Sequence, residues 1–175
     1  ILLSIINGQV RIGNWEALTC PLDVRALIQL GDTTYCATGG GLLLYHNSNF
    51  EVLTTVSGLY GIDLLSISND SYNNIWVGGK SPIGFVQIYD NEKNSIVTFD
   101  YGLTEITNFY NGDSIALASF VEGQDLGIIK WIHSDYKWSY RDIYRNFPIS
   151  FELINGIEII NDQVFLGTDR GLLMG

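Results

Sequence analysis

Long hydrophobic runs are missing from this sequence of 175 residues. No apolar stretch approaches the ~20 residues that a membrane-spanning helix needs. The opening segment 1–6 is too short for a signal-peptide core, and nothing basic precedes it. We therefore expect no membrane insertion by this segment. Because the sequence begins without Met, we also expect that a leader has been removed or that the chain is attached to further domains.

Positive charge is scarce. The chain has 9 Lys and Arg residues against 19 Asp and Glu, which gives a net charge of −10. Nucleic acids and anionic membrane surfaces bind proteins through clustered Lys and Arg, and here these residues are scattered singly. The composition therefore excludes nucleic acid from the expected partners.

Apolar, aromatic and glycine residues are abundant. Hydrophobic residues make up 46% of the chain and aromatic residues 13%, beside 19 glycines, whereas charged residues reach only 16%. This composition is typical of a folded chain of strands and tight turns, and it argues against disorder. A chain of this length can bury a core of its own.

One pattern of strands and turns recurs four times, in segments 24–46, 63–90, 104–133 and 154–175. Each segment begins with an apolar stretch of strand length and continues into a turn rich in Gly, Asn and Asp. Such residues tolerate the left-handed backbone of a hairpin. The turn aspartates recur at spacings of 38, 43 and 49 residues: Asp32, Asp70, Asp113 and Asp162. The recurrence indicates one structural unit repeated along the chain.

Each repeat carries the strands of a small sheet. A second strand, a loop with Gly and a third strand follow the turn, and the first three repeats add a fourth strand. The N-terminus fits the same scheme, because Trp15–Thr19 parallels the fourth strand Phe50–Thr54. Four strands per unit at this period predict an all-β fold, a β-propeller of four-stranded antiparallel blades.

We predict one propeller domain or segment over residues 1–175, with three full blades and two partial ones. The predicted bounds are 1–19 (partial), 22–54, 61–99, 104–144 and 153–175 (partial). The crossings between blades are expected at Gly58–Gly61 and Tyr101–Leu103. A closed ring needs at least ~4 blades, so this chain closes a small ring only if the two partial blades complete each other. We expect instead that it is part of a larger ring. A β-sandwich is the alternative, which the regular turns disfavour.

Two stretches resemble a known repeat. One begins at Gly58-Leu59, passes Asp70 and closes with Asn74-Ile75-Trp76-Val77-Gly78, and the other reads Leu166-Gly167-Thr168-x-x-Gly171-Leu172. Both are similar to the two-component regulator propeller repeat, in which Gly-Leu, an apolar strand, Asp with Gly or Asn, and Ile-Trp-Ile-Gly-Thr follow one another. Gly79 replaces the Thr of this pattern, and segment 37–42 is a looser copy.

This resemblance implies recognition outside the cytoplasm. Propellers of the family form the extracytoplasmic sensor halves of bacterial hybrid signalling proteins, where they recognise glycan-like ligands. Similar propellers occur in surface and secretion-linked proteins, including those of the type IX system. The resemblance transfers no binding residue, because the repeat motif is structural.

Five residues form the candidate ligand-binding set, because they fall in loops of one predicted face. Tyr60, Asp63 and Lys80 fall in loops at or next to the second full blade, and Asp169 and Arg170 fall in the equivalent loop of the last repeat. Ligands bind where loops from several blades converge. Arg and Asp can hydrogen-bond sugar hydroxyls and Tyr can stack on a sugar ring. The alternative is that all five are ordinary solvated loop residues.

The sequence contains no catalytic set and no metal-ligand set. His46 and His133 end third strands of different blades, too far apart to share a metal ion. Asp125 lacks the regular Asp spacing of a calcium loop. Cys20 and Cys36 form a disulfide if the chain is exported, or else remain buried thiols. We predict no catalytic residue, no metal and no cofactor.

We therefore predict a non-enzymatic, extracytoplasmic recognition module, periplasmic, cell-surface or secreted, that binds an oligosaccharide or a protein partner through face loops. The alternative is a structural or interaction scaffold of a secreted or secretion-linked surface protein. A glycoside hydrolase or lyase is a third possibility. Segment 134–138 resembles the Asp-box turn of sialidase-like propellers, but it lacks the Gly and Thr of that turn. Trp76 is interpreted as a core residue rather than a sugar platform.

Overall fold

Short antiparallel sheets make up the structure. The computed structural model describes residues 21–81, 83–90, 92–103 and 105–175. In this part of the chain, fifteen strands form three four-stranded sheets and one three-stranded sheet. The partial blade predicted over residues 1–19, with Cys20, lies outside the described residues. No helix in the described ranges is long and apolar enough to cross a membrane.

The four sheets follow one another along the chain. Sheet I contains β1 (Val24–Leu30), β2 (Thr33–Thr38), β3 (Gly41–His46) and β4 (Asn49–Leu53). Sheet II contains β5 (Asp63–Asn69), β6 (Ile75–Ser81), β7 (Gly84–Tyr89) and β8 (Ser95–Leu103). Sheet III contains β9 (Glu105–Asn111), β10 (Ile115–Glu122), β11 (Asp125–Ser134) and β12 (Lys137–Tyr144). Sheet IV contains β13 (Ile154–Ile160), β14 (Gln163–Thr168) and β15 (Gly171–Met174).

Each sheet is a meander whose strand order follows the chain. The first strands of neighbouring sheets contact one another in the series β1, β5, β9 and β13. The first strand of each sheet is therefore the innermost one, and the last strand lies farthest out. This is the arrangement of propeller blades, and it confirms the predicted fold class. The assignment of residues 1–175 to one domain remains a prediction.

Hydrophobic cores fill the spaces between consecutive sheets. Strand residues alternate between the two faces, so Ile75 and Val77 pack toward sheet I and Trp76 packs toward sheet III. Trp76 is fully buried, as its interpretation as a core residue predicted. The third core joins sheets III and IV around Leu117 and Leu166. Burying one such large side chain contributes about 1.5–3 kcal/mol.

Three two-residue turns have the left-handed backbone that their sequences favour, whereas the predicted hairpin turns Asn69-Asp70 and Gly112-Asp113 have no positive φ angle. Asn47-Ser48, Asp135-Tyr136 and Asn161-Asp162 have positive φ angles between 50° and 64° at both positions. This is the type I′ geometry, whose twist matches the twist of the adjoining strands. Segment 134–138, which resembles an Asp-box, is therefore a two-residue hairpin between β11 and β12.

A threonine closes the loop between the second and third strands in two of the sheets. The Thr38 hydroxyl donates to the Gly41 carbonyl at 2.7 Å and accepts from the Gly40 N–H at 3.1 Å. Thr168 makes the same two bonds within its own loop, at 2.8 and 3.1 Å. Gly41 and Gly171 end these loops with φ angles of 126° and 121°, which favour glycine. The Thr-x-x-Gly part of the repeat thus has a structural role.

One crossing differs from the prediction. Tyr101–Leu103, expected between blades, belongs to the end of β8, which spans Ser95–Leu103. The register between β7 and β8 shifts there, Gly102 has a φ of 69°, and its N–H donates to Asp100 Oδ1 at 3.0 Å. A bulge thus absorbs the change of direction within the strand. The other expected crossing, Gly58–Gly61, does lie between sheets I and II.

A buried carboxylate ties sheet II to sheet III. Asp70 Oδ1 accepts the backbone N–H groups of Tyr72 and Asn74, both at 2.9 Å. Asp70 Oδ2 accepts from the Asn74 side chain at 2.9 Å, from the Trp76 indole at 3.1 Å and from the Trp138 indole at 2.8 Å. Trp138 belongs to sheet III, so one side chain satisfies two buried indole donors on different blades.

The same loop occurs a second time, exposed, in the outer hairpin of sheet II. Asp90 Oδ1 accepts the backbone N–H groups of Glu92 and Asn94 at 2.9 Å, and Lys93 has a φ of 66° where the first loop has Asn73 at 63°. The Asn94 N–H holds the pKa of Asp90 below its usual value. The two loops differ chiefly in burial and in the indole donors.

We predict that Asp70→Ala lowers the free energy of unfolding by about 3 kcal/mol, because it leaves buried indole and backbone donors without an acceptor. Asp90→Ala is the matched control, and its cost should be much smaller because water replaces the lost acceptor. Urea unfolding of both variants measures the difference. Equal losses would show that the indole bonds contribute nothing to the packing of sheet II on sheet III.

Candidate functional site

One end of the sheets carries all five predicted site residues. The antiparallel meander brings the start of each first strand, the loop between the second and third strands, and the crossing from the previous sheet to the same end. We call this end the loop face, and the opposite end, with the turns between the first and second strands, the hairpin face. Tyr60, Asp63, Lys80, Asp169 and Arg170 all belong to the loop face.

Charged side chains of alternating sign cross the loop face from sheet I to sheet III. Arg25 pairs with Asp23 at 2.8 Å and with Asp63 of the next sheet. Lys80 Nζ lies 3.8 Å from Asp63 Oδ2 and 4.0 Å from Glu105 Oε1 of the third sheet. We call these five residues the charged row. The structure thus brings Asp63 and Lys80 together, and it adds three residues that the sequence did not single out.

The charged row lies at the boundary between protein and solvent. The side chains of Arg25, Asp63, Glu105 and Lys80 are between 25% and 36% exposed. The hydrogen bond to Asp63 raises the pKa of Arg25 above its usual value. Arg25 Nη1 also donates to the Leu64 carbonyl at 3.0 Å, which fixes the guanidinium against the start of β5. Ion pairs this exposed contribute little stability, and their polar atoms remain open to a ligand.

Tyr60 is held at the crossing between sheets I and II. Its hydroxyl donates to Asp100 Oδ2 at 2.7 Å, and its ring packs against Phe85 with centroids 5.1 Å apart. This hydrogen bond raises the pKa of Tyr60 and is the main cause that lowers the pKa of Asp100. Tyr60 thus pairs with Asp100 on β8 and is not part of the charged row.

A buried glutamine fastens the crossing loop. Gln87 Oε1 accepts the Tyr60 N–H at 2.8 Å, while its Nε2 donates to the Gly58 carbonyl at 2.9 Å and to Ser95 Oγ at 3.0 Å. The Tyr89 hydroxyl also donates to Gly58, at 3.2 Å. Sequence reasoning missed Gln87, although a single amide within the apolar strand Gly84–Tyr89 is a signal that could have been used.

Asp169 and Arg170 lie on the loop face of sheet IV. Asp169 Oδ1 accepts the N–H groups of Glu152 and Leu153 at 2.8 and 3.0 Å. These two hydrogen bonds lower the pKa of Asp169, and the bond from the Glu152 N–H has the larger effect. Arg170 Nε lies 3.3 Å from Asp169 Oδ2, and its side chain is largely exposed. Asp169 therefore orders the entry to β13, whereas Arg170 is directed to solvent.

The remaining candidate positions have local partners. His46 Nδ1 lies 3.2 Å from Thr33 Oγ1, and His133 stacks on Tyr72 with centroids 4.1 Å apart, in another sheet. Among the described residues, no group of three or more His, Cys, Asp or Glu side chains could hold a metal ion. Cys36 is a buried free thiol whose pKa is raised by burial.

Comparison with known proteins supports the fold and no closer relationship. No family model matches the chain. No curated protein matches it in sequence. Solved structures do resemble it, at sequence identities too low to show more than a shared fold.

One similar structure is described as the extracellular domain of a hybrid two-component system, BT3049, from B. thetaiotaomicron. It has a TM-score of 0.64 and 19% identity, and the match covers 87% of this chain and 21% of that domain. A second is the computationally designed Ika4 protein, with a TM-score of 0.64 and 11% identity. This match covers 87% of this chain and 89% of the designed protein. The N-terminal domain of Nup159 has a TM-score of 0.56 and 12% identity. That match covers 83% of this chain and 39% of the Nup159 chain.

The extracellular domain of the hybrid two-component system agrees with the resemblance found in the sequence. This chain is all-β with repeated four-stranded sheets, and it spans about a fifth of the length of that domain, 21%.

We predict that Tyr60→Phe raises the pKa of Asp100 toward the ordinary value of about 3.9. The hydrogen bond favours the carboxylate of the folded protein, so its stabilising effect is present above the unfolded pKa and is lost as the pH falls through the lower folded pKa. A carboxyl-carbon NMR titration measures the change. Tyr72→Phe, which removes a hydroxyl bonded to a backbone carbonyl, is the control and should leave Asp100 unchanged. An unaltered Asp100 titration in Tyr60→Phe would contradict the conclusion that the Tyr60 hydrogen bond lowers the pKa of Asp100.

Proposed function

We propose that this chain is a non-enzymatic recognition module that binds an oligosaccharide through its loop face. The observation that carries the proposal is the charged row, which joins side chains from three sheets near the starts of their first strands. A surface assembled from several blades is where a propeller ligand touches more than one repeat at once.

The chemistry of the charged row suits neutral hydroxyl groups. Its hydrogen-bond acceptors are the carboxylates of Asp23, Asp63 and Glu105. Its donors are Arg25 and Lys80, which lie between these carboxylates. A sugar hydroxyl both donates and accepts, so it can bond to an adjacent carboxylate and cation without introducing charge. Charge-assisted hydrogen bonds of this kind are stronger than neutral ones. Tyr60, on the same face, offers a partly exposed ring for stacking.

The proposed location is extracytoplasmic, at the cell surface, in the periplasm or secreted. The sequence resembles the two-component regulator propeller repeat, and a similar structure is the extracellular domain of a hybrid two-component system. We infer a sensor-like role, with the chain attached to further domains. A protein partner at the same face is the second candidate, since a mixed-charge surface also suits a polar protein interface.

The variant Lys80→Ala tests the charged row. The control is Lys137→Ala, which makes the same substitution on the hairpin face. A thermal-shift screen against neutral and acidic oligosaccharides identifies a ligand, because binding to the native state raises the melting temperature. We expect Lys80→Ala to weaken that ligand about tenfold, the loss of one charge-assisted hydrogen bond, and Lys137→Ala to leave its affinity unchanged.

Two outcomes would contradict the proposal. If no oligosaccharide in the panel stabilises the chain while a partner protein binds and is lost in Lys80→Ala, the loop face is a protein-docking surface. If a ligand binds equally to both variants, recognition does not use the charged row.

A further inference from the structure

A polar cleft opens on the loop face beside the outer strands of sheet III. Its volume is about 410 Å³, within the range of ligand-binding clefts. Two pieces of chain enclose it, the β10–β11 hairpin and the crossing that leads from β12 to sheet IV. The described residues that line it lie within 124–126 and 145–151, so its walls belong to sheet III and this crossing. We call this space the outer cleft.

The crossing that forms one wall of the outer cleft is fastened at both ends. At its start, Arg145 donates from Nε and Nη2 to Glu122 Oε2 at 3.1 and 2.7 Å, and its guanidinium lies 5.1 Å from the centre of the Phe120 ring. At its end, the Asp169 carboxylate accepts two backbone N–H groups just before β13. The wall is therefore ordered before a ligand arrives, which reduces the entropy lost on binding.

Aromatic rings form the apolar part of the lining. The Phe147 ring packs against Tyr144 and Phe151, with centroids 5.3 and 4.9 Å apart. Phe147 and Phe151 are half-buried and also pack on the core between sheets III and IV. They therefore offer the cleft a fixed, flat apolar surface, which suits the C–H face of a sugar ring.

The rest of the lining is mostly polar, and it suits a neutral ligand rich in hydroxyl groups. The polar side chains are Gln124, Asp125, Arg145, Asn146 and Ser150. Amides and hydroxyls both donate and accept, as a sugar hydroxyl does. Arg145 already pairs with Glu122, and Asp125 adds a negative charge, so the lining has no surplus of positive charge for an anion. An apolar ligand would leave the polar groups without partners.

The outer cleft continues the line of the charged row along the same edge of sheet III. Val121 on β10 is paired with Glu105 on one side and with Leu126 on the other. Glu105 ends the charged row and Leu126 lines the cleft. They are therefore two strand spacings apart, about 10 Å. A linear oligosaccharide can bridge such a distance.

We propose that the outer cleft is a second subsite, which holds one neutral sugar residue of the oligosaccharide whose other part binds the charged row. The inference rests on the proposed function, since it takes the same ligand class at the same face. The sugar ring lies against the aromatic surface, and its hydroxyls bond to the amides of Gln124 and Asn146. The loop face then recognises the length of the oligosaccharide as well as its chemistry.

The probes are linear neutral oligosaccharides of glucose, galactose, mannose and xylose, from dimers to hexamers, with acidic oligosaccharides beside them. Their binding to the 175-residue chain is mapped by backbone amide NMR shifts. We expect a long neutral member to shift the amides of 124–126 and 145–151 together with those near Asp63 and Lys80. Its affinity should exceed that of the shorter members of its series.

Gln124→Ala tests the contribution of the outer cleft. We expect it to weaken the longest bound oligosaccharide by roughly three- to tenfold, the loss of neutral hydrogen bonds, and to leave the shortest bound member unaffected. The matched control is Gln163→Ala, which removes another exposed glutamine side chain, at the start of β14 on the hairpin face. This control should change the affinity for neither oligosaccharide.

The NMR map separates failure of this inference from failure of the proposed function. Shifts confined to the charged row, or equal affinity of Gln124→Ala and the parent chain for every length, would overturn the outer subsite and leave the proposed function standing. Shifts confined to the outer cleft would support the sugar site there and contradict the role of the charged row. Absence of binding by every neutral oligosaccharide, or preferred binding of an acidic one in the cleft, would overturn the inference.

Discussion

Every sheet of this protein has two faces that must be covered. The alternation along β6 places Ile75 and Val77 on one face and Trp76 on the other, and all three are buried. A four-stranded sheet cannot cover both of its own faces, so it is stable only between neighbours. The remainder of the architecture follows from this requirement, including the stacking around an axis and the Asp70 bonds that join sheet II to sheet III.

The same stacking creates the candidate site. Because the first strands lie side by side, residues more than thirty positions apart in sequence meet at the loop face, as Arg25 and Asp63 do. The candidate surface is a product of the inter-sheet contacts, so it depends on the stability of those contacts.

The local features of this fold could be predicted from the sequence, and the long-range ones could not. Turn residues such as Asn161-Asp162 and the strand alternation specify their own geometry within a few positions. The repeat led to the choice of Asp63 and Lys80 as loop residues of one face, but the structure places them within strands β5 and β6, at that end of the sheet. Arg25 and Glu105 were missed, because their role depends on how the sheets pack. Tyr60 lies on the face that the sequence predicted, but its bond to Asp100 could not be foreseen, since it joins residues 40 positions apart.

Hydrogen exchange of the backbone amides tests the central claim most directly, because it measures the opening of each sheet separately. Sheets II and III are covered on both faces by other described sheets, whereas sheet I exposes Leu27 and Phe50 and sheet IV exposes Leu172. We expect the amides of β6 and β10 to exchange most slowly and those of β4 and β15 to exchange earlier. Equal protection of all four sheets, or slowest exchange in sheet I or sheet IV, would contradict the claim that stacking against neighbours holds this fold together.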